Sequence, residues 1–163
     1  MELPRRKHLK HPEMLLLDYH APVFFITITT YRRQNKLACP DVADEIIECF
    51  RECEERHGWA IGRFVIMPDH IHFFASPMKN EKPLSNFIRD FKKWTHARAV
   101  EKGFDGKLWQ NEFFDHLLRG NESYHDKWKY VLDNPVRAGL CESAEDWPYQ
   151  GEISLFAYKR ITR

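Results

Sequence analysis

Two β-rich runs, Trp59 to Met67 and His70 to Ser76, are joined only by Pro68-Asp69. A link that short, made of turn-forming residues, favours an antiparallel hairpin. Pro77 closes its second strand. The hairpin is flanked on both sides by sequence of a different period. Residues 41–57 put Val42, Ile46, Phe50 and Cys53 on one helical face, with Asp41 as the expected N-cap and Gly58 as the stop. Pro83 opens a second helical run to about Lys102, with Leu84, Phe87, Ile88, Phe91, Trp94 and Thr95 at helical spacing and Gly103 and Gly106 beyond it.

Val23 to Thr30 is rich in β-branched and aromatic residues and reads as a first strand; Trp109 to Arg119 reads as a loop and a fourth strand. Asn121 or Ser123 is expected to cap a third helix running to about Asn134. The order strand, helix, strand, strand, helix, strand is the split βαβ pattern of a ferredoxin-like α+β fold. The expected architecture is a four- to five-stranded antiparallel sheet with helices on one face and an extra C-terminal helix. Residues 1–22 form a basic extension in this reading, residues 23–140 the domain, and residues 141–163 a tail.

A chain of 163 residues with 43% apolar side chains suffices for one compact domain. The net charge of +1 predicts neither nucleic acid nor membrane as a partner, so DNA affinity must reside in local patches. One is Arg5, Arg6, Lys7, His8, Lys10 and His11, which taken alone is also what a solvated tail looks like. Cys39, Cys49, Cys53 and Cys141 contain no Cys-x-x-Cys and read as cytosolic thiols, the alternative being a metal pair at Cys49 and Cys53. No stretch approaches a membrane span or a signal-peptide core, so a cytoplasmic protein is expected.

His70 and His72 alternate with Ile71 in a strand, so both imidazoles project from one face about 6 to 7 Å apart and can converge on one ion. The pair alone is as compatible with a structural role as with a functional one. Tyr130 and Asn134 stand i, i+4 and share a helical face, presenting a nucleophile beside a ligand oxygen, or alternatively a core aromatic beside a helix cap. Pro135 places Asn134 near the end of that helix.

The blocks MPDHIHFF at 67–74, WQNEFFDHLLR at 109–119 and KYVLDNPVRAGL at 129–140, trailed by EDWPY at 145–149, resemble the REP-associated tyrosine transposases of the HUH single-tyrosine superfamily. The resemblance implies a metal held by His70, His72 and Asn134, with Mg²⁺ or Mn²⁺ as the ion, and Tyr130 as nucleophile. It also implies a 5'-phosphotyrosine intermediate on single-stranded DNA with palindromic hairpins, needing no nucleotide cofactor. Tyr124 is the rival nucleophile; Asp69, Asp115, His116 and Asp133 are alternative ligands or bases. Expected DNA contacts are Arg5, Arg6, Lys7, Arg32, Arg33, Arg89, Lys92, Lys93, Arg119 and Arg137, with Trp94 and Trp109 as stacking platforms. A nucleoid-associated monomer is favoured over a homodimer. The competing readings are a domesticated hairpin-binding protein without turnover and a metal hydrolase using water.

Overall fold

The computed structural model describes residues 13–17, 21–79, 81–118 and 124–158. Its core is a five-stranded antiparallel sheet in the order β5-β2-β4-β3-β6. The strands are β2 (Phe24–Thr29), β3 (Trp59–Ile66), β4 (His70–Pro77), β5 (Phe114–Leu117) and β6 (Gln150–Glu152). The first four, taken with α1 (Pro40–His57) and α2 (Leu84–Glu101), reproduce the ferredoxin-like order. The hairpin forms as expected, with β3 and β4 antiparallel and a register shift between Ile61 and Phe64.

Period two decides which residues face which layer. Ile71 and Phe73 of β4 point to the α1–α2 side, where Phe50, Phe64, Phe73 and Phe91 stack at centroid distances of 5.0 to 5.8 Å. His70, His72 and Phe74 point to the other side. That side is covered by α3 (Tyr124–Leu132), whose Tyr124 ring stands edge-on to Phe74 at 4.6 Å and whose Trp128 stands at 6.4 Å.

Several elements differ from the sequence expectation. Asp41 does not cap α1: Cys39 is the N-cap, Pro40 opens the helix with its fixed φ, and Asp41 lies in the first turn, where its charge complements the helix dipole. The fourth strand is only Phe114–Leu117, with Trp109 held in an isolated bridge to Thr30. The third helix stops at Leu132, and Asn134 opens a separate turn, α4 (Asn134–Arg137), because Pro135 cannot continue the hydrogen-bond ladder. The expected caps Asn121 and Ser123 lie outside the described residues. Three strands were not foreseen from sequence: β1 (Glu13–Leu17) pairs in parallel with β7 (Ser154–Tyr158), while β6 adds to the edge of β3.

Candidate active site

His70 and His72 rise from the first turn of the β4 zigzag with ring centroids 4.7 Å apart. Each is fixed through Nδ1. Asp69 Oδ1 accepts the His70 Nδ1–H at 2.7 Å, and Asp69 is itself held by the Arg33 guanidinium at 3.0 Å. With Nδ1 so tied, Nε2 of His70 is the ring nitrogen left for a further partner. Thr27 Oγ1, directly opposite on β2, lies 2.7 Å from His72 Nδ1, and the tautomer that donates to it leaves Nε2 of His72 as the acceptor. Phe25 stacks on the His72 ring at 5.1 Å.

Burial, then the neighbouring His70, Lys127 and Arg137, push His72 down to about 3, so it is a neutral imidazole at physiological pH. Asp69 is held below the usual carboxylate range by its bonds to His70 and Arg33, which outweigh the opposing effect of its own burial. The turn carrying Asp69 is pinned in place: Thr30 N–H and Thr30 Oγ1–H both donate to Asp69 O, and Leu37 N–H donates to Pro68 O. Arg32 and Arg33 follow β2 in the left-handed region at φ 55° and 52°, a strained turn that brings Arg33 onto Asp69.

The α3–α4 segment supplies the other half of the site. Its inner stripe, Tyr124, Trp128 and Val131, docks on the sheet. The Arg63 backbone N–H donates to Tyr124 Oη at 2.8 Å, and burial pushes that phenol well above its usual range, so Tyr124 packs against the sheet with its hydroxyl already engaged. Tyr130, by contrast, is 64% exposed. The Arg137 guanidinium lies 4.2 Å over its ring and also donates to Asn134 Oδ1. One cation therefore binds the tyrosine and the asparagine together, close enough to His72 to oppose its protonation.

Among the described residues no cluster of three His, Cys, Asp or Glu forms. Two imidazoles with anchored Nδ1 atoms and Nε2 atoms left over as donors fit a divalent ion, and Asn134 contributes an amide oxygen whose present partner is Arg137. Asp115 pairs with Ile26 in register and points to the opposite face, whereas His116 pairs with Phe25 and shares the face of the His pair. Cys49 and Cys53 are buried, burial pushes Cys49 up to about 12, and Cys53 Sγ donates to Cys49 O, so both behave as core thiols.

The expected DNA contacts divide into distinct groups. Arg33, bonded to Asp69, and Arg137, near His72, border the His pair, whereas the Arg32 guanidinium lies over the Tyr31 ring at 5.1 Å. Arg89, Lys92 and Lys93 line a cleft of about 430 Å³ between α2 and the 107–113 loop, together with His96 and Lys107, which sequence reasoning missed. Within it Lys92 Nζ donates to the carbonyls of Gln110, Asn111 and Glu112 and is brought down to about 8 chiefly by burial, a loop clamp more than a free cation. Arg5, Arg6, Lys7 and Arg119 lie outside the described residues. Both tryptophans have other partners: Trp94, half-buried, carries the Arg56 guanidinium at 4.0 Å over its ring, and Trp109 is buried with Nε1–H donating to Thr95 Oγ1. Thr27, Phe25 and Lys127 were missed as well; only strand register, which no local pattern specifies, would have found the first two.

No described helix is long and apolar enough to cross a membrane. An Escherichia coli K12 REP-associated tyrosine transposase is 29% identical to this chain over 130 residues, covering 77% of this chain and 73% of that protein. A solved structure described as the REP-associated tyrosine transposase bound to a REP hairpin shares the fold with a TM-score of 0.66 at 19% identity, covering 87% of this chain and 82% of that one. The family model described as "Transposase IS200 like" matches residues 16–133, the span that contains the histidine pair and Tyr130, and the chain belongs to that IS200-like transposase family.

Proposed function

We propose that the protein is a metal-dependent single-stranded DNA endonuclease and strand transferase that cuts and rejoins DNA at palindromic hairpins through Tyr130. The observation that carries this reading is the pair of Nδ1-anchored imidazoles at His70 and His72, side by side on one face of β4 and facing the segment that presents Tyr130. The relative of similar fold that was solved with a REP hairpin supports the choice of DNA substrate.

His70, His72 and the Asn134 oxygen would hold Mg²⁺ or Mn²⁺, which when bound polarises the scissile phosphate. Asp69 and Thr27 keep the imidazoles oriented. Tyr130 Oη bonds to phosphorus as the bond from phosphorus to the 3'-oxygen breaks; the phenol proton is lost and the 3'-oxygen leaves as a hydroxyl. A second 3'-hydroxyl reverses the step, so no nucleotide cofactor is needed. Arg137, over the phenol, places positive charge where the transferring phosphate would sit. As a ligand Asn134 would offer the ion a second lone pair of its amide oxygen or give up Arg137, and the competition of that cation for the oxygen favours a second reading, a hairpin-binding protein with little turnover.

The test is incubation with hairpin-bearing single-stranded DNA and Mg²⁺ or Mn²⁺. A covalent protein–DNA adduct is expected, absent from Tyr130→Phe. Equal adduct in that variant overturns the nucleophile, and tight binding with no adduct under either ion selects the second reading.

A further inference from the structure

We infer that Phe114 is the platform on which a base next to the scissile phosphate stacks. The inference rests on the proposed DNA chemistry and names a substrate-positioning residue for it. Single-stranded DNA without its complement exposes apolar base faces, and proteins that hold it supply aromatic side chains beside backbone-binding cations. The tryptophans expected for that task are engaged elsewhere. Among the described residues, Phe114, 60% exposed, is surpassed in exposure by no large apolar side chain except Tyr130.

Its position is set by register. Phe114 pairs with Thr27, and Thr27 pairs with His72, so all three stand in one row on one face. Two strand spacings put Phe114 roughly 10 Å from His72 across the sheet. Thr27, between them, is the residue that holds His72 Nδ1. β5 ends the sheet, so a strand of DNA can pass over its edge without meeting another β-strand of the sheet. Cations flank that path on both sides. Lys127 lies 4.9 Å over Phe25 in the adjoining row, and the neighbouring Phe113 lines the cleft that holds Lys93 and Lys107. An exposed ring between Lys127 and the pair Lys93 and Lys107, in the row of His72, fits a nucleobase with its phosphates held by those cations.

The experiment measures binding of the full chain to hairpin DNA with an unpaired flank, without divalent ion, so that Tyr130 does not react. Phe114→Ala is expected to weaken binding roughly five- to a hundredfold with an unchanged melting temperature, and Phe114→Trp to restore it. Replacing the flank nucleotides one at a time by abasic sites should reveal one position whose loss weakens the wild type by that same factor and leaves Phe114→Ala unaffected. Equal binding by wild type and Phe114→Ala, or abasic effects that are the same in both, overturns the inference. So does an alanine variant whose only change is its oligomeric state, which marks a protein interface. The coupling must persist in Tyr130→Phe. Coupling without any adduct in the wild type sinks the proposed chemistry alone, whereas adduct without coupling sinks the stacking.

Discussion

The two faces of the central sheet are built from opposite materials. Toward α1 and α2, Phe50, Phe64, Phe73, Phe87 and Phe91 are fully buried and interlocked. Toward α3, the same strand β4 presents His70 and His72, partly open, each held by one polar neighbour. The contrast teaches that stability and chemistry are separated by alternation at the start of a single strand: Ile71 and Phe73 enter the α1–α2 core while His70 and His72 face the site, and further along Phe74 packs that second face against Tyr124 and Trp128. The largest expected effect tests that separation. Phe50→Ala should cost about 3–5 kcal/mol in urea unfolding, the ordinary cost of an aromatic cavity. His70→Ala should leave most of that stability and abolish the adduct. A His70→Ala loss as large as that of Phe50→Ala would mean that the histidine pair is itself part of the core.

A second way to break the comparison lies where α3 docks. A Cβ at Gly62 would stand 2.5 Å from Tyr124 Oη and 2.9 Å from Phe156 Cε2, so the strand can approach the helix only without a side chain there. Gly62→Ala is expected to cost about 1–3 kcal/mol by overpacking and to lower adduct yield by displacing α3. Unfolding curves and adduct gels on the same variant check it; full stability with full activity would show that α3 is not positioned by this contact.

Within the basic cleft the division recurs between adjacent residues. Lys92 clamps three carbonyls, whereas Lys93 is exposed. Lys92→Met should lower stability by about 1 kcal/mol, toward the bottom of the range for losing a charged hydrogen-bond donor because the site is partly open. It should leave the salt dependence of DNA binding as it was. Lys93→Met should do the reverse, reducing the slope of log affinity against log salt by about 1 at unchanged melting temperature. Exchange of those two phenotypes would reassign both lysines.

What the sequence reveals of this molecule is what local periodicity encodes. Period two sets His70 beside His72, period 3.6 gives the buried faces of α1 and α2, and the order of elements gives the ferredoxin-like sheet. Tyr130 and Asn134 were legible as neighbours, although Pro135 breaks the helix between them and Arg137 is what joins them. Long-range pairing was not legible. Thr27 reaches His72 through register, β6 is too short to carry a pattern, and the β1–β7 pairing is parallel between distant segments. Lys92 and Trp109 carry the composition of DNA contacts, and tertiary burial turned both inward.

The smallest expected effect belongs to the stable face. His57, 5% exposed, ends α1 against Phe87 and Trp94; its Nδ1 accepts from Lys82 Nζ at 3.1 Å, and its Nε2 has no partner. Burial lowers its pKa from the usual 6.5, Lys82 and Arg56 lower it further, and Asp90, itself paired with Lys82, opposes them. The unfolded chain therefore takes up a proton below about pH 6.5 that the folded chain resists. More protons bound to the unfolded state mean stability that is complete above that pH and declines as pH falls below it. His57→Gln cannot take up that proton, so the wild type should lose more melting temperature than the variant between pH 7.5 and 5.5. His72, also held neutral, is common to both proteins and cancels in the difference. Parallel losses in the two proteins would place the acid sensitivity of the fold elsewhere, with the site face rather than the core as the source.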